Sequence, residues 1–283
     1  MPGKALIVIP IEAPVKEAAF DLYGILETSI ATAGEELEGG DVLAVSSKYA
    51  AISEGRVVAL DSIVITPEAQ KLADQYRMTP TIAQLVLQEA DHIFGGIEGF
   101  LLTHKDGIIS PNAGLDRSNI PSGYAVLFPE SPYQTAANIR RELRQRQGVD
   151  IGVILTDSWL MPGRLGTSGV ALATAGFAPI QDERGKADLF GNPMRVTQRG
   201  VADSISVCAQ MVMGERDEAI PIAIVRNSGV ELTDVELSVD DVAIPWEMCI
   251  YVESLTGGLL EHTLETVREA QRNGRVRDVM PGA

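Results

Sequence analysis

The stretch from Asp150 to Ser158, Asp-Ile-Gly-Val-Ile-Leu-Thr-Asp-Ser, restricts the possible folds more than any other part of the chain. An apolar run this short, set between Gly148 and Pro162-Gly163, reads as a buried strand rather than a helix. It ends on a carboxylate with a hydroxyl beside it, and a glycine-rich loop from Pro162 to Gly169 follows. A strand that delivers Asp157 and Ser158 into a loop of small residues suits a divalent cation and a phosphate. Hard cations take carboxylate and hydroxyl oxygens, and glycines let backbone N–H groups approach an anion. The same residues also read as an Asp-Ser turn closing a core strand.

Around this strand, extended and helical patterns interleave irregularly. Residues 5–11 and 42–45 read as strands, and residues 16–33 carry a helical pattern with Phe20, Leu22, Leu26 and Ile30 on a broad apolar face. Thr66-Pro67 and Thr79-Pro80 each mark a helix start, because Thr caps free N–H groups and Pro fits the first helical position. The second of these helices buries Ile82, Leu85 and Val86. Gly95, Gly96 and Gly99 break the pattern ahead of a hairpin, whose strands at 100–103 and 108–109 join through Lys105-Asp106-Gly107. Residues 112–119 are too rich in turn formers for a helix, and Tyr124 to Phe128 is a further strand. Ser131-Pro132 opens a helix that runs to Gln147 and is stopped by Gly148, with Ala136, Ile139 and Leu143 inward and Arg140, Arg141, Arg144 and Arg146 on a solvated face. Val201 to Met213 reads as a helix with Asp203 in its first turn, and Ile220 to Val225 as a buried strand. Residues 257–273 read as a terminal amphipathic helix. This irregular order favours a mixed α+β architecture over a doubly wound parallel sheet.

Charge and composition narrow the function. A formal net charge of −16 argues against nucleic acid or an anionic membrane surface as a general partner. No apolar run approaches the roughly 20 residues a membrane helix needs, and the first residues are too short and strand-like for a signal peptide, so the chain reads as cytoplasmic. Cys208 and Cys249 lack neighbouring Cys or His at ligand spacing, which removes a structural zinc site and a disulfide framework. There is no Gly-x-x-x-x-Gly-Lys-Ser/Thr loop, no dinucleotide fingerprint and no Gly-x-Ser-x-Gly elbow. What remains is a set of carboxylates at turns, Asp116, Asp157, Asp182, Asp188 and Asp203, of which two or three brought together could hold divalent ions against a triphosphate.

An ordered series of segments sharpens this. It comprises Gly40-Asp41-Val42-Leu43 with Ser47-Lys48, Ser53-Glu54-Gly55-Arg56, and Asn112 to Asp116 with Ser118-Asn119. It continues through Gly148 to Asp157, Asp188 to Gly191 with Arg195-Val196-Thr197, Val201-Ala202-Asp203, and Met213-Gly214. The series spans roughly two thirds of the chain and resembles the coenzyme F-420-0:γ-glutamyl ligase family. The resemblance implies an α+β, two-lobed subunit with mixed β-sheets in an intertwined homodimer. Residues 1–250 would form the catalytic domain and residues 251–283 a C-terminal helical extension. It implies GTP, L-glutamate and a deazaflavin coenzyme precursor as small-molecule substrates, with a pair of Mg²⁺ or Mn²⁺ ions and K⁺ as a further cation. By position, Asp116, Asp157 and Ser158 would be metal ligands, Lys48 and Arg164 phosphate contacts, and Ser47, Asn112, Ser118 and Asn119 orienting groups for the nucleotide.

The chain departs from the family pattern in three places. Trp159-Leu160-Met161-Pro162-Gly163 stands where a Gly-Arg step is usual, Ser204 stands where Glu is usual, and Lys16-Glu17-Ala18 replaces a Gly-Asp-Asp segment. The expected chemistry passes the γ-phosphoryl group to an acceptor carboxylate, and the glutamate amine then displaces phosphate; bridging metals supply the charge cancellation. The departures leave two further readings open, a catalytically silent nucleotide- or deazaflavin-binding relative and a ligase with another acceptor acid.

Overall fold

The computed structural model describes residues 4–256. The chain to Val242 forms one compact unit, and the chain from Ala243 a second. At the centre of the first is a five-stranded sheet built from β1 (Ile7–Ile11), β2 (Val42–Ser46), β8 (Gly152–Leu160), β9 (Thr167–Ala175) and β12 (Ile222–Arg226). The spatial order is β1-β12-β2-β8-β9. Only β2 and β8 run parallel; the other neighbours are antiparallel. This is the mixed α+β architecture expected from the sequence.

Helices cover both faces of the sheet. Leu43, Val45, Val153 and Leu155 pack on one side against α1 (Leu22–Thr32), α2 (Ser47–Ser53) and α5 (Pro132–Gln147). Val42, Ala44 and Ile154 pack on the other against α6 (Val201–Met213). With both faces buried, the period-2 alternation of side chains has no polar side to show, so 151–155 reads as a continuous apolar run. Each Val, Leu or Ile among them contributes about 1.5–3 kcal/mol on burial.

The remaining strands form small sheets. β4 (His92–Ile97), β5 (Phe100–Lys105) and β6 (Ile108–Pro111) make an antiparallel meander, and β3 (Val57–Ala59) pairs with β7 (Tyr124–Val126). Helices α3 (Pro67–Tyr76) and α4 (Pro80–Glu89) start at the two Thr-Pro steps; Thr66 Oγ1 caps the first by accepting from the Ala69 N–H, whereas the Thr79 side chain makes no cap hydrogen bond to the second. Ile82, Leu85 and Val86 join Leu101 and Ala125 in a separate core. β10 (Ile180–Asp182) and β11 (Gln198–Gly200) form a ribbon ahead of α6. In the second unit a 3₁₀ turn at Trp246–Met248 precedes α7 (Ile250–Thr256). The helix expected at 257–273 lies outside the described residues. Among the described residues, no helix is long and apolar enough to cross a membrane.

Several expectations are corrected. The first helix begins at Leu22 rather than at residue 16, because Asp21 caps it by accepting from the Gly24 N–H. α2 was not foreseen; Ser46 caps it and the helix is too short to show a period. β4 forms despite Gly95 and Gly96, with a bulge between Ile93 and Gly95. A Cβ on Gly96 would stand 2.2 Å from the Phe100 carbonyl oxygen, so glycine is required where the hairpin closes. The central strand does not stop at Asp157 but pairs with β9 as far as Leu160, which makes residues 161–166 a hairpin loop. Arg140 is not solvated: 12% exposed, it contacts Asp150 at 2.7 Å and Asp234 at 2.9 Å and donates to the Ile151 carbonyl. Arg144 shares Asp234, and Arg146 pairs with Glu27.

Candidate functional site

One cavity of about 910 Å³ opens beside the end of β8. Four further segments wall it: residues 13–17 after β1, the β2–α2 junction, the loop at 114–121, and the end of α6 with the residues that follow. Asp116, Asp157, Ser158, Lys48, Ser118 and Asn119 all line this cavity. Residues 116 and 157, far apart in the chain, therefore share one space.

The β8 backbone divides the work between its two faces. Successive side chains point to opposite sides of a strand. Asp157 meets α2, where the Ser47 hydroxyl donates to it at 2.6 Å. Thr156 and Ser158 point to the α6 side. Thr156 Oγ1 contacts the Ser206 hydroxyl and accepts from Gln210 Nε2, and Ser158 Oγ donates to Glu215 at 3.2 Å. Gly169 in β9 allows this close approach, because a Cβ there would come within 2.7 Å of the Ser206 backbone. Trp159 returns to the first face and packs against its core.

The two aspartates carry different electrostatics. Burial pushes the Asp157 carboxyl up to about 6, against the hydrogen bonds from Ser47 and the Ser158 N–H; the nearby charge of Asp116 raises it further and that of Lys48 opposes. Burial also raises Asp116, but the Lys48 ammonium at 2.8 Å and hydrogen bonds from Ser118 outweigh it and leave the carboxyl below its ordinary range.

The other sequence candidates separate cleanly. Ser47 is buried and acts on the cavity through Asp157. Asn112 is turned inward: its Oδ1 accepts from the Leu101 N–H at 2.8 Å and it fastens the meander rather than lining the cavity. Arg164 sits in the 161–166 hairpin loop, outside the cavity lining. Asp182 pairs with Arg184, Asp188 accepts from the N–H groups of its own turn, and Asp203 accepts from the Ala171 N–H at the sheet edge. These three are turn and edge chemistry. Glu215 and Gln210 were missed by sequence reasoning; the position of Glu215 directly after Met213-Gly214 was the available signal.

Fold and cavity together define an α+β protein with an anionic, hydroxyl-lined site of small-molecule size. The chain belongs to the F420-0:Gamma-glutamyl ligase family, which it matches over residues 10–227. It is similar to the coenzyme F420:L-glutamate ligase of Methanopyrus kandleri, with 36% identity over 229 residues, 81% of this chain and 88% of the relative. The proteins of the same name from Methanothermobacter thermautotrophicus and Methanocaldococcus jannaschii are 32% and 35% identical over 214 and 195 residues. Those matches cover 75% and 69% of this chain and 85% and 78% of the relatives.

Proposed function

We propose that this chain is a GTP-dependent ligase that joins L-glutamate through an amide bond to the carboxylate of a coenzyme F420 precursor. One observation carries the reading: Asp116 and Asp157 line the same cavity as Lys48 in a chain of this family. The reaction brings an anionic carboxylate to an anionic triphosphate in a protein of net charge −16, so it requires local cations. The donor set suits Mg²⁺ or Mn²⁺, since both ions favour carboxylate, hydroxyl and phosphate oxygens. Among the described residues no group of three His, Cys, Asp or Glu could hold a metal ion unaided. Asp116 and Asp157 would therefore leave coordination positions for phosphate oxygens and water, while Ser158 and Glu215 line the α6 side of the same cavity. Bound there, the metal would neutralise charge as it develops on the transferring phosphoryl group.

The protein's own groups hold the reactants. Ser47 fixes the Asp157 carboxylate, Ser118 fixes that of Asp116, and Lys48, which pairs with Asp116, would contact phosphate once nucleotide is bound. The acceptor carboxylate oxygen takes the γ-phosphoryl group and GDP leaves. The glutamate amine then attacks the activated carbonyl carbon, the C–O bond to phosphate breaks, and the nitrogen loses a proton. The silent-relative reading loses one support, because Ser204 donates to the Gly200 carbonyl in the first turn of α6 and does not line the cavity. Trp159 and Leu160 do line it, so altered acceptor preference is the more specific alternative. A homodimer fits the bare apolar side chains of Leu189 and Phe190, 100% and 89% exposed.

The test combines purified protein, GTP, Mn²⁺, L-glutamate and the coenzyme precursor, with and without K⁺, and follows GDP release and the acceptor mass. We expect one GDP per glutamyl group added, and Asp157→Asn to abolish turnover while keeping the circular dichroism spectrum. Nucleotide binding without turnover on any acceptor acid would overturn the ligase reading, and glutamyl transfer to a different acid would correct the acceptor.

A further inference from the structure

Lys48 stands where a cation is wanted. Its Nζ lies 2.8 Å from Asp116 Oδ2, 3.0 Å from the Ser118 carbonyl oxygen and 3.0 Å from Ser118 Oγ. An ammonium group has three N–H donors, and here each has an acceptor. The other oxygen of Asp116 accepts from the N–H and hydroxyl of Ser118, at 2.7 and 2.8 Å. The carboxylate is thus already neutralised by the protein itself. Asp157 lines the same cavity but, among the described residues, makes no ion pair: it accepts hydrogen bonds from Ser47 and the Ser158 N–H, and Lys48 acts on it only through space.

We propose that Lys48 is an exchangeable cation: its ammonium occupies Asp116 until a nucleoside triphosphate draws it onto the phosphates, so divalent metal and nucleotide bind this site cooperatively. The inference rests on Asp116 and Asp157 as metal ligands. Two features of the site support it. A divalent ion on Asp116 would sit against the ammonium in a half-buried cavity, where like charges repel more strongly than in water. The lysine stem is flexible and its charge compact, so Nζ can change partners without moving α2, in which Lys48 is the second residue. The triphosphate supplies the anionic oxygens that make the exchange favourable. Because coupling is reciprocal, metal must tighten nucleotide binding by the same factor that nucleotide tightens metal binding.

The experiment measures free Mn²⁺ by electron paramagnetic resonance during titration of the full chain, with and without a non-hydrolysable GTP analogue. It uses the parent protein and Lys48→Met, with Lys48→Gln as a second variant that keeps the stem. Without nucleotide, both variants should bind Mn²⁺ about two- to fivefold more tightly than the parent, the factor set by releasing one partly exposed ion pair. The nucleotide should tighten Mn²⁺ binding in the parent and do so much less in the variants. Equal or weaker metal binding by the Lys48 variants, with Asp157→Asn losing Mn²⁺, would overturn the exchange and leave the metal site standing. Unchanged Mn²⁺ binding in both Asp116→Asn and Asp157→Asn would overturn the exchange and the metal site together.

Discussion

Arg226→Met should destabilise the protein more than its place at the end of a strand suggests. Arg226 closes β12 with its side chain 16% exposed, and the Asp41 side chain it contacts is 2% exposed. Its Nε donates to Asp41 Oδ1 at 3.0 Å and its Nη2 to Oδ2 at 2.9 Å. Asp41 also accepts from the Glu38 N–H at 2.9 Å, and Glu38 and Glu35 face the same guanidinium. Methionine keeps most of the volume but leaves the Asp41 carboxylate buried with one N–H donor. Removing one partner of a buried pair costs about 3–5 kcal/mol, and the surviving Glu38 N–H places this case near about 3. For a protein of this size that corresponds to a fall in Tm of about 6–12 °C. Thermal and urea unfolding followed by circular dichroism would measure it. The double variant Arg226→Met with Asp41→Asn should recover most of the loss, because no charge then remains buried and the amide oxygen still accepts from Glu38. A single variant melting within about 2 °C of the parent, or a double variant no more stable than the single, would refute the reasoning.

Other outcomes can be checked directly. Ser47→Ala removes the hydroxyl that orients Asp157 and should lower Mn²⁺ affinity and kcat/KM by about tenfold while the fold is kept. Gly169→Ala should force α6 away from β9 and cost about 1–3 kcal/mol, seen as a lower urea midpoint. Because the Asp157 carboxyl sits at about 6 in the folded protein and at 3.8 ordinarily, the folded state holds the extra proton between those values. Its burial therefore costs stability above pH 6 and is relieved on acidification towards pH 4, a dependence that Asp157→Asn should flatten in unfolding measurements at several pH values. Mn²⁺ affinity should run the opposite way, falling as the pH drops through 6, and isothermal titration in buffers of different ionisation enthalpy should show a proton released on binding.

Local chemistry was the legible part of the sequence. The Thr-Pro and Ser-Pro helix starts, the Gly148 stop and the hairpin at Lys105-Asp106-Gly107 each depend on neighbouring residues, and each was found. α2 and β4 were not, because α2 spans 7 residues and β4 carries two glycines whose role is set by the Phe100 carbonyl across the hairpin. Arg141, Arg144 and Arg146 of α5 lie on the exposed face as expected, but Arg140 does not: Asp234, one of its partners, is about 90 positions away, and no local pattern announces it. In the cavity, Asp116 and Asp157 stood out as carboxylates beside hydroxyls in turn-rich or strand-end sequence. Glu215 reaches the site by folding α6 across the sheet, which only the three-dimensional arrangement shows.

The first strand of the central sheet finds its partner in the last, since among the described residues β1 pairs only with β12. The wall at residues 13–17 follows β1 directly, and the Ala13 N–H bonds to the Ala219 carbonyl at 3.0 Å. During synthesis Tyr49 can already donate to the Pro14 carbonyl in that wall, but the strand that closes the sheet over β1 is complete only once residue 226 has left the ribosome. The opening segment must therefore wait for almost the whole of this unit, and a nascent chain halted before that point would carry both aspartates yet have no finished chamber around them.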